Sequence, residues 1–147
     1  NYMNKSELYW LKNKNDIEKD VIVDRIENGK FRVLEYGKFY PILFGGYLVD
    51  NSITEILLKY VSEQIESSNK VMIWRKATDE TWNNYSELHI KNHLDLENFE
   101  DAKFDGLKIY LLMHNQIFIS SELKEKFISE CKKIQEIEFS NEYPLYV

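Results

Sequence analysis

One stretch constrains the local plan of this chain more tightly than any other: "NQIFISSELKEKFISECKKIQEIEF", Asn115 to Phe139. A short apolar strand runs into two serines, then an amphipathic helix, then a second strand. The stretch "GGYLVDNSITEILLKYVSEQIESSNKVMIW", Gly45 to Trp74, follows the same plan. Ile53 stands opposite Leu123, Leu57 opposite Phe127 and Val61 opposite Cys131, each pair 70 residues apart. The pairs Leu48/Phe118 and Val49/Ile119 extend the match into the preceding strands. In the first copy, Ile53, Ile56, Leu57, Tyr60, Val61 and Ile65 recur at helical spacing and predict one apolar stripe. Ser52 is the expected N-cap, with Glu55 closing a capping box. In the second copy Ser120 or Ser121 takes the capping role. Lys126 there faces Ile56, which narrows the stripe.

Two copies are too few for a solenoid. The expected fold is α+β: a single domain over residues 1–147, with a mixed or antiparallel sheet and two main helices. They are arranged as a pseudo-repeat of strand–helix–strand modules over 45–74 and 115–139. Two unrelated units of the same shape are the alternative to duplication.

The rest of the chain supplies strands and one irregular segment. Leu8–Leu11 and Val21–Ile26 read as short strands around the polar turn "KNKND", and Asn28-Gly29 as a type I′ hairpin turn into "KFRVLEY". Pro41 confines "FYPILF" to an edge strand or to a strand starting at Ile42. "SSNK" is expected to end the first helix before the strand "VMIW". "KIYLLM", a turn at His114-Asn115 and "QIFIS" form a hairpin, and "EYPLYV" reads as an extended tail. Residues 75–106, between the modules, are the least regular part. No apolar run approaches the ~20 residues that cross a bilayer. The opening "NYMNKSELYW" has no apolar core of the kind a secretory signal needs. Cys131, the single cysteine, sits at an apolar helix position. It is expected to be a small buried hydrophobe in a cytoplasmic protein.

Net charge of −6 and a pI of about 5.2 argue against nucleic acid as partner, since phosphate neutralisation needs clustered cations. His89 and His93, four apart in "HIKNH", would share one face of a helix, a spacing used for zinc. The Glu of an H-E-x-x-H site is missing, and only Asp95 or His114 could complete a set. No G-x-S-x-G elbow is present, and Gly45-Gly46 lies between strands rather than opening a phosphate-binding helix. No cofactor is expected.

What remains is the segment "DLENFEDAKFD", which carries five carboxylates, Asp95, Glu97, Glu100, Asp101 and Asp105, against Lys103. Phe99 and Phe104 interleave with them, and Trp82 and Tyr85 lie upstream. Aromatic anchors beside a charged field are the make-up of a protein interface, here one for a cationic partner. The alternative is that these aromatics pin a long loop to the core.

"IFISSELKEKFISECKKIQEIEF" resembles the C-terminal signature of a bacterial immunity-protein group from polymorphic toxin systems. The matching positions are Ile119, Ser120, Leu123, Lys124, Phe127 and Phe139, with Tyr47–Val61 comparable to an earlier strand–helix copy. "ECKKIQ" departs from the pattern where a glycine is common. The resemblance implies a small cytoplasmic protein that binds and neutralises a toxin domain encoded beside it, a nuclease by preference, by occluding its active site or substrate path. It carries no catalytic residue with it. The alternatives are a small metal-assisted hydrolase using His89, His93 and a carboxylate, or a structural or regulatory subunit of a larger assembly.

Overall fold

A computed structural model describes residues 8–15, 17–95 and 97–142, apart from the side chain of Glu100; the tail beyond Glu142 lies outside it. The strands and helices run β1 (Leu8–Asn13), β2 (Ile22–Glu27), β3 (Lys30–Glu35), β4 (Ile42–Leu43), β5 (Leu48–Asp50), α1 (Asn51–Tyr60), β6 (Ile65–Arg75), β7 (Glu80–Ile90), β8 (His93–Leu94), β9 (Ile109–Leu112), β10 (Gln116–Ser120), α2 (Ser121–Glu130) and β11 (Ile137–Ser140). The class is α+β, and the strands divide between two sheets. One has the order β2-β3-β6-β7-β5-β4, the other β11-β1-β10-β9-β8. Both are mixed: β3–β6 and β8–β9 pair in parallel, all other neighbours antiparallel. Pro41 acts as its chemistry demands, since β4 starts at Ile42 and lies on a sheet edge.

The two helices match to the residue, whereas the 3₁₀ turns after them (62–64 and 134–136) and the strands that follow stand 72 residues apart. Helix α1 spans 51–60 and α2 spans 121–130, again 70 apart. Their caps, Asp50 and Ser120, share the offset, and both helices end on the same bond. Val61 N–H donates to Leu57 O at 2.8 Å, and Cys131 N–H donates to Phe127 O at 2.9 Å. A 3₁₀ turn and a strand follow in each copy. Strands β5 and β6 both flank β7, whereas β10 and β11 both flank β1. Strand β1, from the start of the chain, therefore takes in the second module the place that β7 takes in the first. The Asn141 side chain donates to Leu8 O beside this junction.

Several local expectations are corrected. The cap of α1 is Asp50, not Ser52: its carboxylate accepts Ser52 N–H at 2.8 Å, which places Ser52 inside the first turn and leaves Glu55 no capping partner. A carboxylate at the positive end of a helix is the stronger acceptor. The helix stops at Tyr60, where Val61 leaves helical geometry (φ −135°, ψ 32°). Ile65 and "SSNK" belong to β6, which pairs with β7 from Ile65 to Arg75. Cross-strand hydrogen bonds hold these polar residues in a strand that their side chains do not advertise.

Residues 75–106 are likewise half regular, because β7 fills 80–90. The Asn28-Gly29 turn is not type I′, which needs positive φ at both central residues. Only Gly29 has it (78°), and a bulge between Arg25 and Glu27 supplies the twist instead. In the β9–β10 turn Met113 (55°) and His114 (69°) do carry paired positive φ.

Strict alternation along β10 sends Ile117 and Ile119 into a central cluster and Phe118 into an outer one. The central cluster draws on both sheets and both helices, including all three repeat pairs Ile53/Leu123, Leu57/Phe127 and Val61/Cys131. A second cluster, with Phe31, Leu48, Ile73 and Tyr85, belongs to the six-stranded sheet. A third joins Leu8, Leu94, Leu112 and Phe118 of the five-stranded sheet to Phe99 and Phe104. Cys131 is buried, and burial pushes its thiol pKa up, as suits a packing residue.

Candidate functional site

The aromatic and acidic halves of the expected interface separate. Trp82 is half-buried and stacks on Phe39 with ring centroids 4.2 Å apart. Tyr85 is 1% exposed, and its hydroxyl donates to Tyr40 O at 2.7 Å. Phe99 and Phe104, 2% and 4% exposed, meet Phe118 and Tyr110 edge-on, centroids 6.3 and 5.1 Å apart. Tyr85, Phe99 and Phe104 are thus core residues rather than surface anchors, and Trp82 sits with a different cluster from Phe99 and Phe104. Burying each such ring gains about 1.5–3 kcal/mol, a sufficient reason for the arrangement. For Phe99 and Phe104 the alternative reading holds: they pin the segment to the sheet.

The carboxylates stay outside. Asp95, Glu97, Asp101 and Asp105 are all exposed. Asp95 accepts the Glu97 and Asn98 N–H groups at 3.0 and 2.9 Å, and the Asn98 side chain accepts Asp95 N–H at 2.8 Å. A 3₁₀ turn at Phe99–Asp101 follows. Among the described residues none of the four is ion-paired. Glu18, Asp24, Glu35, Asp50, Glu55, Glu80, Glu87 and Glu130, by contrast, each lie within 4.0 Å of a lysine or arginine nitrogen. Glu100 falls outside the described side chains.

His89 and His93 sit on strands β7 and β8, not on one helix. His89 Nε2 lies 2.9 Å from Glu87 Oε2, and His93 Nε2 lies 2.8 Å from Ile90 O. Among the described residues no three His, Cys, Asp or Glu side chains are placed to hold a metal ion. The two histidines nonetheless line one groove of about 290 Å³, with Arg25, Phe44, Tyr47, Glu66 and Glu87.

Strand alternation builds this groove. Leu88 and Ile90 enter the central core, so Glu87 and His89 share the opposite face with Tyr85. Arg25, opposite Phe31 in the β2–β3 register, reaches Glu87 with both terminal nitrogens at 2.8 and 2.6 Å. That hydrogen-bonded guanidinium, helped by His89, holds the Glu87 carboxyl below its ordinary range against the opposing effect of burial. Phe44 is 45% exposed at φ 54°, and Gly45 and Gly46 after it have φ 63° and 88°. Sequence reasoning found only the histidines here. The other groups come from separate strands with no shared spacing, although a bulky residue before Gly-Gly is a local signal. The groove and the acidic segment adjoin along the chain, since His93 lines the one and Asp95 opens the other.

No protein-family model, curated protein or solved structure matches this chain. Among the described residues no helix is long and apolar enough to cross a membrane.

Proposed function

We propose that this chain is an immunity-type binding protein of the cytoplasm, which captures a cationic toxin domain and neutralises it by covering its active site or substrate path. The observation that carries the reading is the acidic surface of the segment 95–105. Asp95, Glu97, Asp101 and Asp105 are exposed and none of them is ion-paired among the described residues, while Phe99 and Phe104 anchor the segment in the core. A fixed negative surface steers a positive partner and accelerates encounter without a large apolar patch. Nucleases, whose own substrate is polyanionic, are the preferred class of toxin. The sequence resemblance of the stretch Ile117–Phe139 to an immunity-protein group is in keeping with the same reading.

The test is co-expression with the toxin domain encoded beside the gene. The wild-type chain is expected to restore growth. The triple variant Glu97→Lys, Asp101→Lys, Asp105→Lys should fold normally, because these side chains are exposed, yet fail to protect. Full protection by that variant would remove the acidic segment from the interface. Absence of protection by the wild type would remove the function.

A further inference from the structure

We infer that the groove between Phe44 and His93 receives a lysine or arginine side chain of the protein partner. The inference rests on the proposed function in one respect, that the partner is a cationic protein. Its first support is backbone strain. A phenylalanine at φ 54° occupies a region that bulky residues rarely enter, and such strain clusters at functional sites. The strain does not serve to bury the ring, which stays 45% exposed at the groove. Its centroid lies 5.8 Å from Phe31, edge-on, and 6.3 Å from Tyr47, and Tyr47 lies 5.9 Å from the His89 ring. Phe44 and Tyr47 thus bring two aromatic rings to the groove.

Charge is the second support. Arg25 is already committed, with both terminal nitrogens on Glu87 and its guanidinium 4.8 Å above the Phe31 ring. Glu87 is engaged in turn by Arg25 and His89. Glu66 is exposed and has no ion pair among the described residues, so the groove carries one uncompensated carboxylate. Aromatic rings beside a carboxylate with no ion pair fit an ammonium or guanidinium group through cation–π attraction and a charge-assisted hydrogen bond. An anionic group would meet the uncompensated carboxylate of Glu66. An apolar group would strip water from Glu66 and His89 without replacing their hydrogen bonds.

The experiment is an NMR titration of the isolated protein with N-acetyl-arginine amide and N-acetyl-lysine amide, with N-acetyl-glutamine amide as neutral control. Saturable shifts at Phe44, Tyr47 and His89 in the millimolar range are expected for the two cations only. Phe44→Asn, which suits a left-handed backbone, combined with Glu66→Gln should weaken binding about tenfold. Should Phe44→Asn fail to fold, Glu66→Gln alone, at an exposed strand position, is expected to weaken it about threefold. No saturable shift, equal shifts with the glutamine amide, or unchanged affinity in the variants would overturn the inference. None of these results needs the toxin. A groove that fails while the wild type still protects cells sinks this inference alone, and a groove that binds while protection fails sinks only the proposed function.

Discussion

Phe127→Ala is expected to destabilise the fold by about 3–5 kcal/mol, with the urea m-value unchanged. The ring is 0% exposed and sits in the central cluster, where its centroid lies 6.1 Å from Phe139 of β11. The size of the effect follows from the asymmetry of the repeat. Helix α1 buries Ile53, Ile56 and Leu57 as apolar anchors, whereas α2 buries only Leu123 and Phe127, because Lys126 stands where α1 has Ile56. Phe127 therefore provides much of the attachment of α2, and its loss should also abolish hydrogen-exchange protection along residues 121–130. Leu57→Ala, at the equivalent position of α1, should leave α1 protected because Ile53 and Ile56 remain. A loss below about 1.5 kcal/mol for Phe127→Ala, or an unaltered exchange pattern, would mean that the helices are held by something other than these paired positions.

Asp50→Ala is expected to cost about 2–4 kcal/mol, several times the ~1 kcal/mol expected for Ser120→Ala at the matching cap. Ser120 accepts two backbone N–H groups, from Leu123 and Lys108. Asp50 is 3% exposed and serves three donors: Ser52 N–H, the Asn84 amide at 2.8 Å and the Lys133 ammonium at 2.8 Å. Lys133 follows α2, so this carboxylate ties the two modules together. Burial alone would raise its pKa, but the hydrogen bonds from Lys133, Ser52 and Asn84 outweigh that and hold it below the ordinary aspartate value. A depressed folded value means that the stabilisation is present above the unfolded value of about 3.9 and is lost as pH falls through the folded one. Wild-type stability should thus decline on acidification below about pH 5. Asp50→Ala should flatten part of that decline, as measured by urea unfolding at a series of pH values. An equally steep decline in the variant would contradict the assignment.

The legible part of the fold was the part written in apolar periodicity. The pairs Ile53/Leu123 and Leu57/Phe127 marked both helices and their shared core, because a buried stripe leaves little freedom of residue type. Element boundaries were less legible wherever tertiary partners decide. Asp50 displaced Ser52 as cap, and β7 drew the polar "ESSNK" into a strand. Only assembly could reveal the strand between β10 and β11, since nothing local to Leu8–Asn13 says that it lies there. Among the candidate site residues, the carboxylates remain on the surface, while Tyr85, Phe99 and Phe104 turn inward because a large ring beside an uncovered sheet face buries itself. The groove was half visible. His89 and His93 carry a helical spacing they do not use, and Arg25, Glu66 and Glu87 meet them only through strand pairing.

The most direct test of the central claim is the association rate constant between this protein and its cognate toxin domain, measured by stopped flow over a range of salt concentrations. Wild type should associate fast at low salt and slow steeply as salt shortens the Debye length from about 10 Å at 0.1 M to 3 Å at 1 M. The triple variant Glu97→Lys, Asp101→Lys, Asp105→Lys should associate about 10–100-fold more slowly at low salt, with the two rates converging at high salt. Equal rates and equal salt slopes for the two proteins would contradict the account.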